Sequence, residues 1–191
     1  MEVVSGITLL RLGMPLSALP RRRVAVAGAR DPTPFGLADA REVARLLAGL
    51  GCAVVTGMAR GVDTAAAEAA AEAGGVVIAV LPRLRALRLP AAAVVAPAHT
   101  PRDVRQQLAA RSRVAAALSQ AVVVPEARYR PRGWGTRYAV EQAVRLGRPA
   151  VVLKPRAPDA DVWEGYRRLL QLGAAPAETP ADAAEKGCRG N

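Results

Sequence analysis

The sequence is poor in aromatic residues, lysine and histidine. Aromatic residues make up 3% of its 191 residues, and Lys154 and Lys186 are the only lysines. With so few aromatic rings, the core must be built from Ala, Val and Leu. His99 is the only histidine, and neither a cysteine pair nor a carboxylate cluster stands beside it in the sequence. We therefore expect no metal site and no Ser-His-acid catalytic triad.

The loops that follow the predicted strands contain no lysine. The phosphate loop of nucleoside triphosphatases requires Gly-Lys followed by Ser or Thr, so ATP hydrolysis of that type is excluded. A dinucleotide fingerprint is also absent, because Arg30 and Thr33 occupy positions that would need glycine. Thr56 stands where the second strand would have to end in an acidic residue. A conventional NAD site is disfavoured, and we expect no cofactor.

Cysteines and long apolar runs are scarce as well. Cys52 and Cys188 are too few for a disulfide framework and lack the spacing of a zinc site. Cys52 falls in an apolar strand pattern, which favours a buried thiol that is not bonded. No apolar run approaches the length of a membrane span, and Arg11 interrupts the apolar part of the N-terminus. These features are typical of a cytoplasmic protein without a membrane partner.

The net charge is strongly positive, and arginine supplies nearly all of it. Lysine and arginine total 27 against 16 acidic residues, which gives +11 at pH 7. A field of that sign attracts polyanions such as nucleic acid, nucleotides or anionic lipid. The charge permits such a partner without identifying it, because an arginine-rich composition also arises from genome composition or thermal adaptation.

Short apolar runs alternate with longer stretches of helical period from Arg23 onward. This alternation predicts βαβ units, and so a single α/β domain with a mostly parallel sheet and helices on both faces. Strands are predicted at 24–28, 52–56, 76–82, 121–127 and 149–155, with a further short strand in "AVVA", and helices at 37–50, 62–73, 102–118, 136–146 and 161–172.

The two ends of the chain are expected to lie outside the domain, which we assign to residues 23–173. Residues 1–22 form a predicted N-terminal extension. Its leucines have helix-like spacing, so that they could cap the edge of the sheet or pack on a second subunit. Residues 174–191 show no apolar periodicity, which predicts a flexible tail.

Ligands of an open parallel sheet bind beyond the carboxyl ends of its strands, which directs attention to the loop at 56–62. Gly57 and Gly61 allow a tight turn there, and the next helix presents unpaired N–H groups and its positive dipole end to an anion. Arg60 would add a forked cation for a phosphate. Asp63 is either a helix cap or a residue that holds Arg60. A capped helix with a solvated arginine is the alternative interpretation.

A second candidate phosphate nest lies in the loop at 128–136. Gly133 and Gly135 flank Trp134, and Thr136 begins a predicted helix. Trp134 is either a surface on which a base stacks or a hydrophobic lid.

Five stretches together resemble a known family. "VAVAGARDPTPFG", "VVTGMARGVDTAA", "GGVVIAVLP", "RSRVAAALSQAVVVPEA" and "GWGTRYAVEQAVRLGRPAVVLKP" occur in the order and roughly the spacing of the Rossmann-like domain of the DNA-processing protein A (DprA, or Smf) family. The resemblance runs from about Val24 to Pro155. Its most specific part is Ser/Thr-Gly-x-Ala-Arg-Gly-x-Asp, and Arg111-Ser112-Arg113 stands where the family has Arg-Asn-Arg. Ala67 departs from the family's histidine.

The resemblance implies a Rossmann-like domain that dimerises and binds single-stranded DNA without sequence preference. It implies a partner as well, the RecA recombinase, which such proteins help to load during natural transformation, and it implies no enzymatic activity. Arg111 and Arg113 are two residues apart on a predicted helix and cannot share one face, so we expect only one of them to face the cleft. The implied phosphate-holding pocket comprises Gly28, Arg30, Gly57, Arg60, Gly61, Asp63, Arg111 and Arg113.

Two alternatives stay open. The superfamily also contains the LOG-type phosphoribohydrolases, which cleave the N-glycosidic bond of nucleoside monophosphates, and their Pro-Gly-Gly-x-Gly-Thr-x-x-Glu motif resembles "PRGWGTRYAVE". Arg132 replaces a glycine of that motif, and Glu141 lies too far from Thr136. Glu68 and Glu126 are other conceivable acid-base groups, although surface carboxylates are the simpler interpretation. The second alternative is a sensor that holds a small nucleotide and acts through partners.

Overall fold

The structure is a computed structural model that describes residues 1–4, 6–87, 91–131 and 134–189. Every predicted strand and helix is present, with ends that differ by a few residues. In chain order the elements are β1 (Glu2–Val4), β2 (Ile7–Gly13), β3 (Arg23–Val26), α1 (Pro34–Gly49), β4 (Ala53–Thr56), α2 (Val62–Glu72), β5 (Val77–Val80), β6 (Ala93–Pro97), α3 (Val104–Leu118), β7 (Ala121–Val124), α4 (Thr136–Arg145), β8 (Ala150–Leu153), α5 (Ala160–Gln171), β9 (Ala175–Ala177) and α6 (Pro180–Arg189).

The strands of the described ranges form one sheet of nine strands in the order β1-β2-β6-β5-β4-β3-β7-β8-β9. From β6 to β9 in that order neighbouring strands are parallel, whereas β2 pairs antiparallel with β6 and β1 antiparallel with β2. The mostly parallel α/β fold is thereby confirmed. The chain leaves β3 for β4 on one side and later returns to β7 on the other side. Such a switch point opens a crevice at the carboxyl ends of the strands.

The core consists of two apolar layers, one on each face of the sheet. Helices α3, α4 and α5 cover one face, and α1, α2 and α6 cover the other. Alanine, valine and leucine make up most of both layers, as the shortage of aromatic residues predicts. The strand β3 is buried on both sides, with Val24 and Val26 in one layer and Ala25 in the other. Within the described ranges, no helix combines the length and the apolar character needed to cross a membrane.

The N-terminal residues join the sheet as a hairpin, so the helix-like spacing of their leucines is misleading. Leu9 lies in β2 opposite Pro97 and is 1% exposed. Leu16 and Leu19 are also buried and pack in the same layer as Leu9. Of the two roles considered for this segment, the structure has the one that covers the edge of the sheet.

The C-terminal residues differ from the flexible tail expected over 174–191. Their described part contains β9, which pairs with β8, and the helix α6. Ala183, Ala184 and Gly187 form the buried side of α6. A Cβ atom at Gly187 would lie 2.7 Å from Cγ2 of Val123, so the glycine lets the helix approach the sheet closely. The sequence pattern misses this helix because its inner face is built from small residues, which give little apolar contrast.

Cys52 and Cys188 are joined by a disulfide, which corrects the expectation of an unbonded thiol at Cys52. The two residues are 136 positions apart, and their Cα atoms are separated by 6.3 Å. The side-chain amide of Gln120 donates to the carbonyl oxygen of Cys188 at 2.6 Å and closes the end of α6. The disulfide ties α6 to the start of β4. Spacing in the sequence could not predict it, because one partner lies in a segment expected to be flexible.

Candidate phosphate and nucleic-acid site

A cavity of about 390 Å³ opens at the carboxyl ends of β3, β4 and β7. Its walls come from the loops after these strands, from the first turn of α2, from α3 and from the first residue of α4. The position is the crevice at the switch point beside β3. Seven charged residues of the described chain line it, five arginines and two aspartates: Arg30, Asp31, Arg60, Asp63, Arg111, Arg128 and Arg130.

The cavity brings together most of the residues named from the sequence. Gly57, Gly61 and Arg113 do not line it, and Gly133 lies outside the described residues. Arg113 is exposed on α3 while Arg111 faces the cavity, as their two-residue spacing predicts. The predicted residues that do line the cavity are Gly28, Arg30, Arg60, Asp63, Arg111, Trp134, Gly135 and Thr136.

The two glycines that lie outside the lining have structural roles behind the wall. The carbonyl oxygen of Gly57 accepts a 2.9 Å hydrogen bond from Nη1 of Arg111. Gly61 has a φ of 86°, which favours glycine, and a Cβ atom there would lie 2.4 Å from the carbonyl oxygen of Ala29. Both glycines therefore place neighbouring groups of the cavity and do not contact its interior.

Asp63 is the buried centre of the site, and its charged partner is Arg111. Asp63 Oδ2 lies 3.8 Å from Nη2 of Arg111 and accepts a 3.3 Å hydrogen bond from the N–H of Ala59. The backbone N–H of Gly28 also stabilises the charged form of this carboxylate. Burial raises the pKa of Asp63, although Arg111 and the two N–H groups oppose the effect. Of the roles proposed for Asp63, holding Arg60 is replaced by holding Arg111.

Two amides at the turn between β4 and α2 bind groups of the protein itself. The N–H of Ala59 donates to Asp63 at 3.3 Å, and that of Val62 donates to the carbonyl oxygen of Ala29 at 3.0 Å. Asp63, the acidic residue in the first turn of α2, points back toward the turn that precedes the helix and binds the N–H of Ala59. The glycine-containing turn therefore does not leave this amide free for a ligand. These two amides are thus not available to a ligand, whereas five arginine side chains of the described residues line the cavity.

Three buried side-chain N–H groups in the described part of the chain have no hydrogen-bond partner, and all three belong to residues that line the cavity. They are Nε of Arg111, Nε of Arg128 and Nε1 of Trp134. Buried donors in folded proteins are nearly always paired. A cavity wall with unpaired donors suits a ligand rich in acceptors, and phosphate oxygens and the edges of nucleobases are such acceptors.

The loop after β7 is fixed by contacts with α5. The ring centroids of Tyr129 and Trp134 are 5.6 Å apart in an edge-to-face arrangement, and the guanidinium of Arg168 lies 4.0 Å from the Tyr129 centroid. Arg128 forms a 2.8 Å ion pair with Asp159, the N-cap residue of α5. Trp134 is partly buried against the core and also lines the cavity. One face of the cavity is thus an aromatic surface that these contacts hold in place.

Arg128 and Arg130 were not identified from the sequence. The segment "RYRPR" begins just after β7, and the charges in it were available as a signal because cavities form at the carboxyl ends of parallel strands. Arg130 pairs with Asp31, whose Oδ2 lies 2.5 Å from Nη2 of the arginine. Partial desolvation opposes ionisation of Asp31, but the hydrogen bond and charge of Arg130, with the charge of Arg128, lower its pKa.

The glutamates considered as acid-base groups do not line this cavity. Glu126 is buried, contrary to the surface position expected, and accepts hydrogen bonds from the N–H and hydroxyl of Thr33 at 2.9 and 2.5 Å. Glu68 lies 3.5 Å from Arg41, and Glu141 is on α4. Among the residues described, no group of three His, Cys, Asp or Glu side chains is placed to hold a metal ion.

Comparisons with known proteins agree with this architecture. Residues 8–93 match the family model of DNA recombination-mediator protein A. A putative DNA processing protein DprA of Mycobacterium tuberculosis is 32% identical over 172 aligned residues, in a match that covers 83% of this chain and 43% of that protein. The chain thus spans less than half the length of this curated relative.

Two solved structures share the fold over nearly the whole chain. DprA from Streptococcus pneumoniae has a TM-score of 0.74 and 26% identity, with 91% of this chain and 64% of that chain covered. DNA processing protein A from Helicobacter pylori, whose structure concerns its single-stranded DNA binding mode, has a TM-score of 0.74 and 25% identity. That match covers 93% of this chain and 85% of the other.

Proposed function

Because the Rossmann-like domain of this chain belongs to the DNA-processing protein A family, we propose that it binds single-stranded DNA without sequence preference and without catalysis. One observation carries the proposal: a cavity lined by five of the described arginines also contains the three unpaired buried donors. Guanidinium groups bind phosphate oxygens in a forked geometry. The single-stranded DNA binding of the Helicobacter pylori relative supports the same ligand class.

The chemistry of the lining accounts for the lack of sequence preference. Contacts to phosphate fix the position of a strand but carry no information about the base. Trp134 offers an aromatic wall on which any base can stack, a contact that contributes about 1–3 kcal/mol per base. The net charge of +11 adds a long-range attraction that salt weakens. Binding should therefore depend on ionic strength much more than on base sequence.

A titration by fluorescence anisotropy with a labelled, unstructured oligothymidylate tests this function. Its affinity should fall steeply with salt, with log K declining by about 0.7 per log unit of salt for each phosphate neutralised. The Arg60→Ala variant, which removes an exposed arginine of the cavity, should bind more weakly and lose one such increment of slope. Arg113→Ala is the matched control, because Arg113 is exposed and lies outside the cavity. Absence of binding at low salt would overturn the proposal.

The family resemblance extends the proposal to a homodimer that acts with RecA. Size-exclusion chromatography with light scattering measures the mass in solution, and the 19.9 kDa chain should elute at twice that mass. RecA loading is tested on single-stranded DNA that is coated with a single-strand-binding protein. The rate at which RecA forms filaments on it is measured with and without this protein. A monomer, or an unchanged rate, would remove these two extensions and leave the DNA-binding proposal in place.

The size of the cavity favours a second candidate, a sensor that holds one nucleotide. A volume of about 390 Å³ falls within the range of small-molecule sites. A thermal-shift screen against nucleoside monophosphates tests it, because a ligand bound to the folded state raises the melting temperature. Phosphoribohydrolase activity is less supported, since Glu141 does not line the cavity. Release of free base from AMP by the wild type, lost in Glu141→Ala, would be evidence for it.

A further inference from the structure

The ion pair between Asp31 and Arg130 joins two loops at the rim of the cavity. Asp31 follows β3 and Arg130 follows β7, so the pair connects segments that are 99 residues apart. Both residues line the cavity, yet their side chains are 46% and 51% exposed. A side chain that lines a cavity and is also half exposed lies at its opening. The pair therefore spans the opening between the two loops.

This pair is built differently from the other ion pairs of the cavity. Asp63 and Arg111 are 5% and 13% exposed, and further hydrogen bonds fix both. Asp159, the partner of Arg128, also accepts hydrogen bonds from two N–H groups of α5. The carboxylate of Asp31 is instead open to solvent on one side. Exposed ion pairs are weak, so this pair is the one that a competing anion can replace.

The proposed ligand, single-stranded DNA, contains such a competing anion in each of its phosphate groups. A phosphate offers arginine the same acceptor geometry as a carboxylate, and either anion can occupy the guanidinium fork. A phosphate that enters the cavity meets Arg130 at the opening, where Asp31 already binds its Nη2. Ligand and aspartate therefore compete for one cation.

We propose that Asp31 and Arg130 form a latch, in which a phosphate of the bound polynucleotide displaces Asp31 and makes Arg130 a further phosphate-binding residue. The proposal rests on the function proposed above. Asp31 then lowers the affinity by occupying Arg130 in the unbound state, and it contributes to selectivity against weakly charged ligands. The removal of its charge should strengthen binding only while Arg130 is present.

A double-mutant cycle with labelled oligothymidylate tests the latch. Asp31→Asn should bind about two- to fivefold more tightly than the wild type, the equilibrium equivalent of an exposed ion pair. Its salt dependence should match that of the wild type, because Arg130 contacts a phosphate in both complexes, whereas Arg130→Ala should lose about 0.7 of the slope. Arg130→Ala should bind more weakly, and Asp31→Asn combined with Arg130→Ala should equal Arg130→Ala alone. Glu72→Gln is the control, because it breaks a similarly exposed pair with Arg45 at the far end of α2.

The outcomes separate the latch from the function on which it rests. If Asp31→Asn keeps its full gain in the Arg130→Ala background, Asp31 acts only as a general negative charge and the latch is wrong. An unchanged affinity of Asp31→Asn would overturn it as well. If neither the wild type nor any of the variants binds oligothymidylate, the proposed function is wrong, and the latch is wrong with it. All three positions are exposed, so the substitutions leave the core intact.

Discussion

Asp63 and Arg111 form a buried ion pair that joins the first turn of α2 to the middle of α3, with Oδ2 and Nη2 3.8 Å apart. The pair gives the most distinctive motif of the sequence a role different from direct anion binding. Asp63 accepts a hydrogen bond from the N–H of Ala59 and orients Arg111, whose Nε remains unpaired in the cavity wall. The proposed anion site is therefore an arginine cluster built around an internal carboxylate.

Removal of one member of this pair should destabilise the fold. Asp63→Ala leaves Arg111 as a buried charge without its partner, which typically lowers the free energy of unfolding by about 3–5 kcal/mol. Urea unfolding at pH 7 measures the change. The double variant Asp63→Ala/Arg111→Met should recover part of the loss, because it removes both charges. A loss below about 1 kcal/mol for Asp63→Ala would show that solvent reaches Arg111.

Asp159 should make stability depend on pH in the acid range. Its carboxylate is partly desolvated, but hydrogen bonds from Val162 and Asp161 and the pair with Arg128 outweigh this effect and lower its pKa. A lowered pKa in the folded state stabilises the protein above the unfolded value of about 3.9, and this stabilisation disappears as pH falls through the folded value.

Asp159→Ala should therefore lower the free energy of unfolding by about 0.5–2 kcal/mol at pH 7, the range for loss of a helix N-cap. The difference from the wild type should shrink as the pH falls below about 3.9. Urea unfolding at pH 7 and at a pH below about 3.9 measures this difference. Asp161→Ala is the control, because that carboxylate is 56% exposed and lies 3.9 Å from Arg128. A difference that stays constant down to the acid range would contradict the assignment.

Two glycines of the site should respond differently to the same substitution. A Cβ atom at Gly57 would lie 2.4 Å from Cζ of Arg111, whereas at Gly135 no atom lies within 4 Å of it among the residues described. Gly57→Ala should displace Arg111, destabilise the fold by about 1–3 kcal/mol as overpacking does, and weaken binding of oligothymidylate. Gly135→Ala should leave both nearly unchanged. Equal effects of the two variants in unfolding and binding assays would refute this prediction.

The disulfide should make α6 sensitive to reductant. A cross-link over 136 residues restricts the unfolded chain, and loss of a native disulfide typically costs about 2–5 kcal/mol. Dithiothreitol should lower the melting temperature of the wild type and increase proteolysis at α6. Cys188→Ala should start from the lower temperature and show no further response. A wild type that melts at the same temperature with and without reductant would contradict the prediction.

Most of the fold follows from local patterns in the sequence, because a parallel sheet buried on both sides requires apolar runs separated by helices. The strands β3, β4, β5, β7 and β8 are of that kind. The termini escaped prediction for opposite reasons. Leu9, Leu10 and Leu12 lie in β2, the second strand from the edge of the sheet, and the apolar side of α6 is made mostly of alanine and glycine.

The candidate site was predicted as a set of loops but not as a set of contacts. The rule that ligands bind at the carboxyl ends of strands located the cavity. The motif located Arg60 and Asp63, and the resemblance of Arg111-Ser112-Arg113 to the family's Arg-Asn-Arg located Arg111. The partner of Asp63 depends on where α3 packs, because Arg111 lies 48 positions further along the chain. No local pattern in the sequence contains this pairing. Arg130 is likewise defined by Asp31, 99 positions away.

The fluorescence of Trp134 during titration with oligothymidylate tests the central claim most directly. The chain has two tryptophans, and only Trp134 lines the cavity, while Nε1 of Trp163 donates to the carbonyl oxygen of Ala157 at 3.1 Å. In Trp163→Phe, binding should quench the emission of Trp134 as a base stacks on it. In Trp134→Phe, the emission of Trp163 should stay constant. Binding that leaves the emission of Trp134 unchanged would place the strand elsewhere on the protein and contradict the account.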